Sequence, residues 1–136
     1  MELATLNFIR EFTKKIEREE QHLQELRACA TETTTLLNGM PHSQGFVRDR
    51  LGEIVSGIID LQNLISELYL IRSRCRYELL ELLFSATDLK EIERKVLINK
   101  FVKLKPMPQT LDELEISERT YFMAQANAFE KLNVSR

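Results

Sequence analysis

Between Ile9 and Leu37 the apolar residues return at intervals of three and four, at Ile9, Phe12, Ile16, Leu23, Leu26, Ala30 and Leu37, with Glu19 and Thr33 falling on the seam. This alternation keeps one apolar stripe on the same side over many turns, so it predicts a helix lying along a partner helix. The pattern breaks at NGMPHSQG, Asn38–Gly45, where two glycines and a proline predict a connector. It resumes at Val47, Leu51, Ile54, Ile58, Leu61, Ile65 and Leu68, passes through Arg72, and continues at Cys75, Leu79 and Leu82. A second long helix follows, about 60 Å in length at ~1.5 Å per residue. Two such helices with a short connector predict an antiparallel hairpin over residues 1–87. Gly52 and Gly57 lie inside the second helix, each at a cost of about 1 kcal/mol against alanine, so either close packing or a bend is expected there.

Past SATD the period shortens. Asp88 and Glu91 have capping-box spacing, which predicts a fresh helix from Asp88 with Leu89, Ile92, Val96 and Phe101 facing inward. KLKPMPQ predicts a loop, because Pro106 and Pro108 cannot continue a helix interior, although Pro108 suits a first turn. A short helix from Gln109 to Leu114 and a final one from Ser117 complete the chain. Ser117 is placed to cap the last helix, and Leu111, Leu114 and Ile116 are expected to pack against Tyr121, Ala124 and Ala128. Residues 88–136 thus form a second region with the helix, loop, short helix, tight turn, long helix order of a helix-turn-helix.

Composition agrees with a folded, all-α chain: of 136 residues, 43% are apolar and 29% charged, with only three prolines and four glycines. The formal net charge is −2, so no global positive field draws nucleic acid, and DNA contact must come from a local patch. Residues 1–87 hold 10 basic and 13 acidic side chains, against 9 and 8 in residues 88–136, a weak lean in the right direction. The arginines of RSRCR, at 72, 74 and 76, point different ways around their helix, either as solvated surface or as a contact to phosphate or an acidic partner. MELATLNFIREF lacks the features of a secretory signal and no apolar run approaches the ~20 residues of a membrane span, so a cytoplasmic protein with no membrane contact is expected. Cys29, Cys75, His22 and His42 have no partners at metal spacing. With no Gly-rich phosphate loop and no catalytic pair or carboxylate array, we expect neither an enzyme nor a cofactor or metal site.

The stretch ERKVLINKFVKLKPMPQTLDELEISERTYFMAQANAFEKL resembles region 4 of bacterial sigma factors, with its Val-Leu and aromatic positions, short helix, Ile-Ser turn and final Ala-x-x-x-Leu. Ungapped, it is similar to the sigma-like C-terminus of small phage-encoded transcriptional regulators, the late-gene activators of the RinA and ArpU type. Met40-Pro41 matches a connector found in their helical N-terminal part, so the resemblance reaches most of the chain. It implies sequence-specific binding of double-stranded DNA, transcriptional control in a host cell, and contact with RNA polymerase. Carried onto this chain, the base-reading positions are Glu118, Arg119, Thr120, Phe122 and Met123, with Gln125 and Asn127 further along. Lys100, Lys103 and Lys105 are the expected phosphate contacts, with Lys90, Arg94 and Lys95 one helix earlier.

Three departures bear on that reading. Glu115 stands where the turn commonly has glycine, Thr110-Leu111 replace an Ile-Ala pair, and Phe122, Met123 and Ala126 occupy positions often polar or basic in relatives. Exposed apolar residues there suit a protein groove as well as a DNA groove. Two alternatives therefore stand beside the regulator: a phage inhibitor or adaptor that binds a host nucleic-acid machine, and a small packaging protein. The long second stripe exceeds what one partner helix covers, which predicts a homodimer.

Overall fold

The computed structural model of the protein describes residues 1–39 and 44–135, with side chains given outside 36–47. Its helices are α1 (Leu3–Leu6), α2 (Phe8–Gly39), α3 (Gln44–Ser85), α4 (Glu91–Leu97), α5 (Met107–Leu114) and α6 (Glu118–Lys131), with a π-helical turn, Ile98–Val102, between α4 and α5. No strand occurs among the described residues, and the all-α expectation holds. The expected connector lies mostly between the end of α2 and the start of α3, and its Met40-Pro41 falls outside the described residues.

Two compact units divide the chain: Met1–Phe12 with Ile71–Arg136, and Thr13–Leu70. The expected boundary was Thr87, whereas the last four turns of α3 and the first twelve residues belong with the C-terminal elements. Leu6, from α1, sits in one cluster with Leu83 of α3, Leu89, Leu97, Phe101, Ala128 and Phe129, which explains that division.

In the Thr13–Leu70 unit, Leu23 packs with Leu61 and Ile65, and Leu26 and Ile58 close over them. The Tyr69 hydroxyl donates to Glu20 Oε1 at 2.5 Å. Thr33, a polar residue on the seam, is buried because its hydroxyl donates to the Cys29 carbonyl at 2.8 Å and so brings its own partner. The glycines are not sites of obligatory close packing: a methyl on Gly52 meets nothing within 4 Å, and one on Gly57 meets only Leu26 Cδ1 at 3.7 Å.

α3 is apolar on more than its inward face. Val55, Ile59 and Leu70 are exposed in one unit, Tyr77 and Phe84 in the other. For this reason the stretch Arg48–Ser85 is long and apolar enough, by length and composition, to cross a membrane, where the sequence reading expected no such run.

In the other unit the chain ends meet. Leu3 N–H donates to the Ser135 carbonyl at 2.8 Å and Ser135 N–H to the Met1 carbonyl at 2.7 Å. α6 closes on Asn133 in a left-handed conformation, with Val134 N–H donating to the Phe129 carbonyl at 2.9 Å and the Val134 side chain packed on the core.

Candidate nucleic-acid interface

α4 begins at Glu91, three residues later than the capping-box spacing predicts, with Lys90 at the N-cap and no side-chain cap. Asp88 lies in the preceding turn, and Leu89 is drawn into the core. Burial of a leucine next to the helix start outweighs a surface cap worth about 1 kcal/mol. Arg94, a candidate phosphate contact, is engaged: Nε donates to the Leu83 carbonyl at 2.9 Å and Nη2 to the Ala86 carbonyl at 3.2 Å, closing the C-terminus of α3. Lys95 pairs with Glu91 at 3.0 Å, and Lys90 is exposed.

The π turn follows directly. Lys103 N–H reaches back to the Ile98 carbonyl at 2.9 Å, and the wider turn buries Asn99, Phe101 and Val102 together. Leu104 then takes a left-handed conformation, φ 54°, and Pro106 is extended before α5. α5 starts at Met107, two residues before the expected Gln109, because Pro108 fits in a first turn where no N–H is required.

Glu115 ends α5 with φ 55° and ψ 47°, the left-handed geometry that usually selects glycine. Ile116 N–H donates to the Leu111 carbonyl at 3.1 Å, and the chain turns sharply into Ser117. The Ser117 hydroxyl accepts from Thr120 N–H at 3.2 Å, the predicted cap. Tyr121 and Ala124 pack with Val96, and Met107, Leu111, Leu114 and Ile116 cover them. Ala128 is buried too, but against Leu6 and Leu83 instead of α5. Burial raises the Tyr121 phenol above its ordinary value.

No protein-family model, curated protein or solved structure matches the chain. Its chemistry is therefore read from its own side chains.

With Tyr121, Ala124, Ala128 and Phe129 inward, α6 leaves Glu118, Arg119, Thr120, Phe122, Met123, Ala126 and Asn127 exposed. Thr120 is partly committed, its hydroxyl lying 2.9 Å from that of Ser117. Phe122 is 49% and Met123 54% exposed, with the Phe122 ring edge-on to Tyr121 at 5.4 Å. Gln125 is half-buried and accepts from Lys100 Nζ at 2.8 Å. The same ammonium lies over the Phe101 ring at 5.4 Å, and the Lys100 carbonyl accepts from Arg10 at 3.4 Å.

The three lysines thus do not act alike. Lys100 is held by Gln125, and Lys105 pairs with Glu113 at 2.6 Å, while Lys103 is exposed. The hydrogen bond from Lys105 holds the Glu113 carboxyl below its ordinary range, and the charge of nearby Lys103 adds to this. On the exposed side of α6, Arg119 is the cation available to a groove; it is flanked by Glu118 and followed by an apolar pair. Among the described residues no group of three His, Cys, Asp or Glu side chains is arranged to hold a metal ion.

Proposed function

We propose that the chain is a transcriptional regulator of the phage sigma-like kind, in which α2 and α3 form a long antiparallel helical hairpin and α5 and α6 a helix-turn-helix that binds double-stranded DNA. Support for the hairpin comes from the contacts of Leu23 with Leu61 and Ile65 and of Leu26 with Ile58, which run in opposite senses along the two helices. The observation that carries the DNA reading is the turn: a left-handed Glu115 and a serine cap two residues later hold α6 against α5 through Tyr121 and Ala124. Glu118, Arg119, Thr120, Phe122 and Met123 are thereby left for the major groove. Arg119 is the base reader and Lys103 a phosphate contact, whereas Lys100, Lys105 and Gln125 are first of all internal partners. With one cation per reading helix, specific binding rests on paired half-sites from two copies. In this reading the protein works in the host cytoplasm, where contact with RNA polymerase would turn binding into regulation.

The exposure of Phe122 and Met123 favours a second reading, in which the same face docks on a host protein. The salt dependence of duplex binding separates the two. Under the DNA reading, Lys103→Ala weakens all sequences alike and flattens the slope of log affinity against log salt by about one phosphate. Under the docking reading, Phe122→Ala abolishes a complex with host polymerase and Lys103→Ala changes nothing.

A further inference from the structure

The face of α3 turned away from the core in the C-terminal unit has its own period. Ser73, Tyr77, Leu80 and Phe84 follow one another at intervals of four, three and four, the spacing of a coiled-coil seam. Tyr77 is 67% and Phe84 64% exposed, and Leu80 is half-buried. This seam is distinct from the inward stripe through Leu79 and Leu83. The Phe84 ring is braced from one side by the Arg94 guanidinium, 5.6 Å from its centroid. Two exposed side chains of opposite charge, Arg74 and Glu81, each follow a seam position, Ser73 and Leu80, and so lie on one flank, two turns apart.

We propose that this face binds a second copy of the same chain, with the two α3 helices crossing antiparallel. In an antiparallel pair, like flanks meet. Arg74 of each copy then lies beside Glu81 of the other, so the charge pair forms twice. The same register sets Tyr77 against the second copy's Leu80 and the small Ser73 against its Phe84, large facing small in each layer. A parallel pair fits worse. It would face Phe84 on Phe84 and Ser73 on Ser73, and the charge partner it would need for Glu81 is Arg76, whose Nε is buried and whose guanidinium is desolvated within its own unit. The surface does not rest on DNA binding; it supplies the two copies that the DNA reading uses.

Sedimentation equilibrium of the full chain through the micromolar range tests the proposal. The parent chain is expected to dimerise, Tyr77→Glu to remain monomeric with unchanged helical circular dichroism, and Arg74→Glu or Glu81→Arg alone to weaken the dimer by about tenfold. The double exchange Arg74→Glu with Glu81→Arg is expected to restore it. For orientation, in a Cys29→Ser, Cys75→Ser background, a Ser73→Cys chain should form a disulfide with a Phe84→Cys chain and not with itself. A parent that stays monomeric, a dimer indifferent to Tyr77→Glu and to charge reversal, a self-linked Ser73→Cys chain, or a monomer that uses this face to bind phosphatidylcholine–phosphatidylglycerol vesicles would each overturn it.

Discussion

Lys131 Nζ donates to both carboxylate oxygens of Glu93, at 2.6 and 2.9 Å, and so ties the last turn of α6 to the first turn of α4. Glu93 is 1% exposed, which makes the lysine its means of staying charged inside the unit. Each residue also sits at the helix end that favours its charge, the carboxylate at an N-terminus and the ammonium at a C-terminus.

Removing one partner is therefore costly and removing both is not. Lys131→Met is expected to destabilise the protein by about 2–3 kcal/mol, at the low end for a broken buried pair because the lysine is partly wetted. Combining it with Glu93→Leu should return stability to within about 1 kcal/mol of the parent. Urea unfolding followed by circular dichroism measures both, and equal losses in the single and double variants would contradict the pairing.

The left-handed turn at Glu115 makes a prediction of the opposite sign. A non-glycine residue there carries a backbone cost that glycine avoids, so Glu115→Gly should stabilise by about 0.5–1 kcal/mol despite the greater freedom of its unfolded chain. A lower midpoint in the same urea experiment would mean that the glutamate side chain contributes more than its backbone costs.

Gly57 has room for a methyl at ordinary contact distance from Leu26 Cδ1. Gly57→Ala should add about 0.5–1 kcal/mol of stability by helix propensity alone. A fall in melting temperature would show that the seam depends on the glycine.

Much of this architecture was legible from period alone. Ile9, Ile16, Leu23, Leu61, Ile65 and Leu68 are buried where the three-four stripe puts them, and Ser117 caps α6 as its position before the helix implies. Periodicity could not reveal contacts between chain ends: Leu6 against Ala128 joins residues with no local relation. Nor could it separate Glu93 and Lys131 from ordinary surface charges, since only tertiary packing buries one of them. Lys100, Lys103 and Lys105 read as one basic cluster, and the partners that divide them, Gln125 and Glu113, come from other helices. The seam of Tyr77 and Phe84 was hidden because α3 is apolar on several faces, and the inward stripe accounts for the first of them.

Acid should dissolve the Lys105–Glu113 link. The hydrogen bond from Lys105 lowers the Glu113 carboxyl from its ordinary value of 4.5, so the pair's contribution is present above that value and is lost as pH falls through the depressed one. The stability difference between the parent and Lys105→Met should accordingly be constant at neutral pH and vanish in acid, as read from urea midpoints across the range. A difference that grows on acidification would assign the wrong sign to the link.

The account turns on whether the exposed side of α6 binds duplex DNA. Fluorescence anisotropy with a labelled random duplex at low salt, followed by titration with sequences selected from that pool, measures this directly. The account predicts binding by the parent chain, and loss in Arg119→Ala of about 1–3 kcal/mol of preference for the selected sequence while random-duplex binding persists. No measurable affinity of the parent chain at low salt, or a sequence preference untouched by Arg119→Ala, would contradict it.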